Sequence, residues 1–196
     1  MENNKRRNIY MIGVGGQGIG LLSEVLIRAA DYADLNVRGV DTHGLAQRGG
    51  TVQSQLRIGE GIYSPLIQKN NADIVIALER TEALRGIQNY LKDDGTVIYY
   101  NTSWQTLDVR LENTEEVGVN DINTAAKKVN GEVIKVYKED LKEARMQNVV
   151  LLTEIVKNDI LPEIQQEHYI NALKDLMTGD KLEKNLTLFN SLVKTD

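Results

Sequence analysis

Two loops rich in glycine and polar side chains are the segments of this 196-residue sequence best suited to chemistry. The segment 41–50 places three glycines among four side chains that could bind a ligand: Asp41, His43, Gln47 and Arg48. The segment 13–20 follows the first predicted strand. Parallel α/β sheets bind ligands beyond the carboxyl ends of their strands. We therefore expect the two loops to share one sheet edge, at the ends of adjacent strands.

The first loop has the GxGxxG spacing, formed by Gly13, Gly15 and Gly18. Glycines at these positions allow a tight turn and let an anion approach the backbone amides at the helix N-terminus. Asp41, at the end of the second predicted strand, could then bind the ribose of a dinucleotide. Close packing of the strand against the helix would explain the same glycines. The pair Gly16-Gln17 adds a side-chain amide that could address a polar ligand or a neighbouring chain.

The second loop offers a histidine and an arginine. His43 could act as an acid or base, donate a hydrogen bond, or simply pack within the loop. Arg48, bordered by Gly49 and Gly50, could form a bidentate contact with a carboxylate or phosphate. A salt bridge to a nearby acid or to a partner subunit would also explain it. No nucleophile–base pair, Walker lysine or metal cluster accompanies these residues, so the chain is expected to need another component to react.

Composition excludes several classes of protein. Net charge is −5 and the pI is about 5.2, which disfavours nucleic-acid binding. No cysteine is present, so the chain can form no disulfide, use no thiol nucleophile and ligate no iron–sulfur cluster through thiolates. With only His43 and His168, a dedicated zinc site is not expected. No signal peptide or membrane span is predicted, and the expected location is the cytoplasm.

Apolar runs alternate with helical patterns, which predicts an α/β fold with a mainly parallel sheet, a Rossmann-like glycine loop after the first strand and a helical C-terminal tail. We expect a single domain spanning residues 1–196. Strands are predicted at 8–14, 36–41, 51–58, 73–78, 96–100 and 132–137. Helices are predicted at 17–33, 79–91 and 121–129, then over most of the chain from 141, broken at Pro162 and ending in the tail helix 182–193.

Two further features are expected beside these elements. The strand 51–58 alternates in the way typical of a strand with one wet face, which would carry Gln53, Gln55 and Arg57. Residues 92–95 are predicted to form a turn after the second helix. Tyr63–Pro65 is predicted to form a third polar turn, near the same edge as the glycine loop.

The motifs together resemble a known family. The series GxGGQG at 13–18, HGLAQRGG at 43–50, LRIG at 56–59, IYSPLI at 62–67 and ADIVIALE at 72–79 is similar to the gamma domain of the 2-oxoacid:ferredoxin oxidoreductases. Within that family it most resembles the small (beta) subunit of the indolepyruvate enzymes. The pyruvate and 2-oxoglutarate relatives carry the first motif but differ at the second. The match is strongest over residues 8–100.

The resemblance implies a mechanism shared between subunits. In such enzymes a large (alpha) subunit holds thiamine diphosphate and [4Fe-4S] clusters. An aryl 2-oxo acid is oxidatively decarboxylated, coenzyme A accepts the acyl group, and ferredoxin takes the electrons. The chain itself would bind no cofactor alone. Within such a complex we expect the two loops to face the large subunit near its active site. From their donor-rich, glycine-bordered sequences we predict catalytic roles for His43 and Arg48, and cofactor-binding roles for Gly13, Gly15, Gly16, Gln17, Gly18, Gln47, Gly49 and Gly50.

Other classes of function stay open at this point. The glycine spacing and Asp41 also fit an independent dinucleotide-binding oxidoreductase. An orphan gamma domain, expressed without its large partner, would be a non-catalytic binding module. A homodimer of the chain, with exposed apolar patches where the large subunit would bind, is a further alternative.

Overall fold

The computed structural model describes residues 6–42, 50–104, 115–141 and 143–194. Its strands are β1 Arg7–Val14, β2 Val37–Thr42, β3 Thr51–Ile58, β4 Ala72–Ala77, β5 Leu91–Tyr100 and β6 Glu132–Val136. Its helices are α1 Ile19–Tyr32, α2 Arg80–Tyr90, α3 Val119–Lys127, α4 Gln147–Lys157, α5 Gln166–Leu176 and α6 Gly179–Val193. A 3₁₀ turn, Ala144–Met146, precedes α4.

The six strands form one sheet in the order β2-β3-β1-β4-β5-β6. The strands β1, β4, β5 and β6 are parallel, and β3 is antiparallel to both of its neighbours. The predicted α/β fold, with a mainly parallel sheet and a helical C-terminal region, is confirmed. The prediction that β1 and β2 are adjacent is wrong, because β3 returns from β2 and inserts between them.

The core lies on both faces of this sheet. Alternate residues of β1 point to opposite sides, so that Ile9 and Met11 meet one apolar cluster while Tyr10 and Ile12 meet the other. The first cluster includes residues of α1, α4, α5 and α6. The second includes residues of α2 and α3. Because α1 and α2 cover opposite faces, the sheet changes the side of its helices between β1 and β4.

The polar face of β3 is less exposed to solvent than the sequence predicted. Gln55 is buried, and its Oε1 accepts the Ile67 N–H at 2.6 Å. Gln53 accepts a hydrogen bond from the Tyr10 hydroxyl. Arg57 donates to Asn8 Oδ1 at 2.9 Å and to a loop carbonyl. These side chains therefore bind the neighbouring strand and the segment after β3, while Gln53 and Arg57 stay partly exposed.

Two turns also differ from the prediction. β3 ends opposite the start of β1, where Ile58 pairs with Arg7, so the segment 59–71 leaves from the edge away from the glycine loop. The prediction that Tyr63–Pro65 lies near the glycine loop is therefore wrong. Residues 92–95 lie inside β5, at a register shift between β4 and β5 where Asp94 has a φ of 58°. Among the described helices, none is long and apolar enough to cross a membrane.

Candidate functional site

The glycine loop lies at the point where the sheet changes the side of its helices. It joins the end of β1 to α1, beside the carboxyl end of β4. In open α/β sheets the crevice at such a point is the usual place for a ligand. Leu78, the residue after β4, donates its N–H to the Ile12 carbonyl at 3.0 Å and ties the end of β4 to β1.

Gln17 braces the loop from within. Its Oε1 accepts the Val14 N–H at 2.8 Å, and its own N–H donates to the Val14 carbonyl at 3.0 Å. A Cβ on Gly13 would lie 3.0 Å from that Oε1 and 3.1 Å from Leu78 Cβ. Gly13 thus gives the amide the room to fold back. The side-chain amide oxygen of Gln17 is thus used by the loop itself, whereas the sequence predicted an amide that could address a polar ligand or a neighbouring chain.

Two glycines of the loop have backbone conformations that favour glycine. Gly16 has a φ of 102° and Gly18 a φ of 92°. Open space surrounds the Cβ position of Gly16, whereas a Cβ on Gly18 would lie 2.4 Å from Asn148 Nδ2. That amide, in α4, donates to the Gly18 carbonyl at 3.0 Å. The loop is therefore held against α4 by a buried side chain.

A backbone hydrogen bond joins the glycine loop to Gly50, the last residue of the second predicted loop. Gly15 donates its N–H to the Gly50 carbonyl at 2.8 Å. Thr42, where β2 ends, pairs with Gln53 next to this contact. Thr42 and Gly50, which border the residues 43–49, therefore lie on the same edge as the glycine loop, as predicted. His43, Gln47, Arg48 and Gly49 lie outside the described residues.

Asp41 was a candidate ribose ligand of a dinucleotide site, and His168 is one of the two histidines that a zinc site could use. The Asp41 carboxylate is half-buried, with Oδ2 4.0 Å from the Cβ position of Gly20 in the first turn of α1. His168 Nδ1 accepts the Gln165 N–H at 3.1 Å, at the start of α5, which is a structural role. Within the described ranges, no three His, Cys, Asp or Glu side chains cluster as a metal site would require.

Two buried glutamates, which sequence reasoning missed, organise the same edge. Glu79 caps α2 by accepting the N–H groups of Thr81 and Glu82, and its carboxylate lies 3.4 Å from the Trp104 N–H. Glu82 Oε1 accepts from Thr51 Oγ1 at 3.0 Å and from Arg85 at 2.5 Å. Their spacing, with Glu three residues after an acidic N-cap, is the signal that could have identified them.

Glu82 stabilises the start of β3 next to Gly50, and burial raises the pKa of its carboxyl above the ordinary 4.5. The folded chain then keeps this proton at pH values where the unfolded chain has lost it. We expect the free energy of unfolding of the wild-type chain, relative to Glu82→Gln, to fall as the pH rises from 4.5. Urea unfolding of both chains between about pH 4 and pH 8 measures this difference.

Glu24→Gln, at a half-exposed side chain of α1, controls for general effects of pH. The difference in free energy of unfolding between the wild-type chain and Glu82→Gln should fall with pH. If this difference stays constant or grows as the pH rises, burial does not raise the pKa of Glu82.

Two clefts flank the glycine loop, and Arg145 lines both. One, of about 460 Å³, is lined by Gly16, Gly18, Gly20, Val52, Arg145 and Lys181. The other, of about 360 Å³, is lined by Gly15, Gln17, Thr102, Trp104, Arg145 and Gln147. In the described part of the chain, the side chains of Arg145 and Lys181 form no ion pair or hydrogen bond. Loop amides and unpaired cations suit an anionic ligand.

Sequence reasoning missed Arg145, Trp104 and Lys181 because none of them belongs to a local motif. Asn148, near Arg145 in the chain, lies 130 positions from Gly18, and no spacing rule spans that separation. This edge of the sheet therefore carries groups that can bind a ligand: the backbone amides of the glycine loop, two cationic side chains and the Trp104 ring. The buried carboxylates of Glu79 and Glu82 lie at the same edge.

Comparison with known proteins agrees with the resemblance. A family model described as pyruvate ferredoxin/flavodoxin oxidoreductase matches residues 8–193. The chain is 34% identical to indolepyruvate oxidoreductase subunit IorB of Archaeoglobus fulgidus over 186 residues, which cover 92% of the chain and 90% of the relative. It is 42% identical to the IorB subunit of Methanothermobacter thermautotrophicus over 96 residues, 49% of the chain and 47% of the relative.

Solved structures show the same fold. A pyruvate oxidoreductase subunit PORC from Thermotoga maritima superposes with a TM-score of 0.65 at 19% identity, covering 97% of this chain and 96% of that one. A 2-oxoglutarate:ferredoxin oxidoreductase from Magnetococcus marinus gives 0.67 at 19% identity, covering 99% of this chain but 32% of that one. The chain therefore belongs to the pyruvate ferredoxin/flavodoxin oxidoreductase family, as a gamma-type small subunit of a 2-oxoacid:ferredoxin oxidoreductase.

Proposed function

We propose that this chain, as a single gamma-type domain, is the small subunit of an indolepyruvate:ferredoxin oxidoreductase. The complex oxidatively decarboxylates aryl 2-oxo acids, transfers the acyl group to coenzyme A and reduces ferredoxin. The observation that carries the proposal is the 34% identity to an indolepyruvate oxidoreductase subunit over 92% of the chain. Because coenzyme A and ferredoxin are its co-substrates, the proposed complex is cytoplasmic.

The division of labour follows from the side chains this subunit has. Without cysteine it does not fit an iron–sulfur cluster, so the clusters belong to a large partner subunit, as does thiamine diphosphate. Thiamine diphosphate supplies the means of stabilising the carbanion left by decarboxylation. The small subunit contributes binding and orientation. The edge formed by the glycine loop, Gly50 and Arg145 is the part of the described chain equipped for that role.

The segment 43–50 is the second part of the proposed site. Its stem is held at Thr42 by pairing with Gln53 and at Gly50 by the hydrogen bond from Gly15. In the proposal, Gln47 and Arg48 orient the substrate carboxylate, coenzyme A or the loops of the partner. His43 and Gly49 complete the segment, and Gly13, Gly16, Gln17 and Gly18 form the facing loop.

The test is co-expression of this chain with a large thiamine- and iron–sulfur-binding subunit. Indolepyruvate-dependent reduction of ferredoxin, or of a viologen dye, is then measured without oxygen. The proposal expects turnover from the two chains together and none from this chain alone.

A further inference from the structure

One side of the β2–β3 half of the sheet is open. On the other side, α1 packs against both strands. In the described ranges, α2 lies over β1, β4 and β5 instead, and it reaches β3 through Thr51 at its start. The open side, which we call the β2–β3 face, carries four side chains that are not buried: Arg38, Val40, Gln53 and Arg57. The sheet therefore presents strand surface here, where β1, β4 and β5 have a helix.

The segment after β3 adds exposed apolar side chains beside this face. Tyr63 is 96% exposed and Leu66 is 61% exposed. The backbone that carries them is nevertheless anchored, because Gln55 accepts the Ile67 N–H at 2.6 Å and Arg57 donates to a carbonyl of the segment at 3.0 Å. Side chains on an anchored backbone lose less conformational entropy on binding, and tyrosine is among the residues that contribute most to protein interfaces. These two side chains therefore suit contact with another protein.

The charge of the β2–β3 face is opposite in sign to that of the whole chain, which is −5. Arg38 pairs with Arg57 in the register of β2 and β3, so the two side chains are neighbours on one side of the sheet, where like charges are destabilising. Arg57 is held by hydrogen bonds to Asn8 and a loop carbonyl, but in the described ranges neither arginine forms an ion pair. Glu60, which lines a small cleft with Arg38, accepts a hydrogen bond from Asn36 at 2.7 Å. The arginine pair therefore attracts an acidic partner.

We infer that the β2–β3 face, together with Tyr63 and Leu66, is a docking surface for an acidic segment of the large subunit, an inference that rests on the proposed function. Carboxylates of that segment lie between the guanidinium groups of Arg38 and Arg57, and its apolar side chains cover Tyr63 and Leu66. Burial of the apolar side chains stabilises the complex, and the added carboxylates relieve the repulsion between the two arginines.

Two observations favour the large subunit over a second copy of this chain. A two-fold contact between copies would place one arginine pair against the other, which like-charge repulsion opposes. The face is also continuous with the proposed site, since Thr51 follows Gly50, whose carbonyl binds the glycine loop. From Thr51, β3 runs roughly 20 Å to Arg57, at about 3.3 Å per residue. A subunit that reaches the glycine loop can therefore extend along this face.

Affinity measurements between the two subunits test this surface. The full chain and its variants Tyr63→Ser, Leu66→Ser and Arg38→Glu are titrated against the large subunit without oxygen, at low and at high salt. We expect each variant to bind about tenfold more weakly or worse, and added salt to weaken the binding of the wild type more than that of Arg38→Glu. Tyr32→Ser and Arg28→Glu, at half-exposed side chains of α1, are the matched controls and should bind like the wild type. Arg38→Glu should leave the free chain at least as stable, because it replaces a like-charge pair by an opposite-charge pair.

The outcomes separate this surface from the proposed function. Unchanged affinity in Tyr63→Ser and Arg38→Glu, or an equal loss in the Tyr32→Ser control, overturns the surface even if the wild-type complex oxidises indolepyruvate. A wild-type chain that dimerises in sedimentation, through a contact that Tyr63→Ser abolishes while binding to the large subunit is kept, identifies a second copy as the occupant and overturns the inference. Weaker binding of the face variants, with no indolepyruvate oxidation by the wild-type complex, supports the surface and overturns only the function.

Discussion

Gly18→Ala should lower the free energy of unfolding by about 2–5 kcal/mol, well beyond the effect of Gly16→Ala. Both glycines have positive φ, and placing a side chain there costs about 1–2 kcal/mol. Gly16 has open space around its Cβ position, so its replacement should cost little more. The comparison isolates the effect of packing from that of backbone conformation.

The additional cost at Gly18 arises at Asn148. A Cβ on Gly18 would lie 2.4 Å from Asn148 Nδ2, and Asn148 is only 1% exposed. The amide must move, which breaks its hydrogen bond to the Gly18 carbonyl and leaves buried polar groups unsatisfied. Such a loss is worth about 1–3 kcal/mol.

Urea unfolding followed by circular dichroism measures these differences in the two alanine variants. The double variant Gly18→Ala/Asn148→Ala should lose less than the sum of the single losses, because removing the amide removes the clash. Equal losses for Gly16→Ala and Gly18→Ala would show that α4 does not restrain the loop.

Arg48→Ala should reduce kcat/KM of the assembled enzyme by about 10–100-fold. The proposed contact is a charge-assisted hydrogen bond, worth about 1.5–3 kcal/mol, and each 1.4 kcal/mol corresponds to about a tenfold change. Arg48→Lys should recover part of the loss, since it keeps the charge but not the bidentate geometry. Steady-state kinetics with varied 2-oxo acid and varied coenzyme A show which ligand the side chain orients.

Arg28→Ala is the matched control, because Arg28 is a half-exposed arginine on α1 whose ion pairs are with Glu24 and Asp175. The amount of complex recovered by gel filtration must be equal for all variants. An Arg48→Ala enzyme that assembles normally and keeps full turnover would rule out an orienting role for this residue.

Local sequence patterns predicted most of the elements. Leu22, Val25 and Leu26 recur at helical spacing and are fully buried in α1, and Phe189 is likewise buried in the tail helix. The continuous apolar run of β4 correctly indicated a strand covered on both faces. These predictions succeeded because burial on one helix face, or on both faces of a strand, leaves a periodic trace in the sequence.

Strand pairing left no comparable trace. The pattern of β3 indicated a strand but not that it inserts antiparallel between β1 and β2, and that placement sends Tyr63 to the opposite edge. At the site, the glycine spacing predicted the loop, and the contact between Gly15 and Gly50 follows from the shared edge. Arg145 and Gln147 could not be predicted, because tertiary packing of α4 against the loop brings them there.

We expect this chain to work only as part of a two-subunit oxidoreductase. The most direct test is anaerobic, indolepyruvate-dependent reduction of ferredoxin or a viologen dye by the co-purified chains and by each chain alone. We expect the two chains to co-purify and the activity to require both. Failure of the chains to associate, together with NAD binding by this chain alone, would contradict it and favour an independent dinucleotide-binding protein.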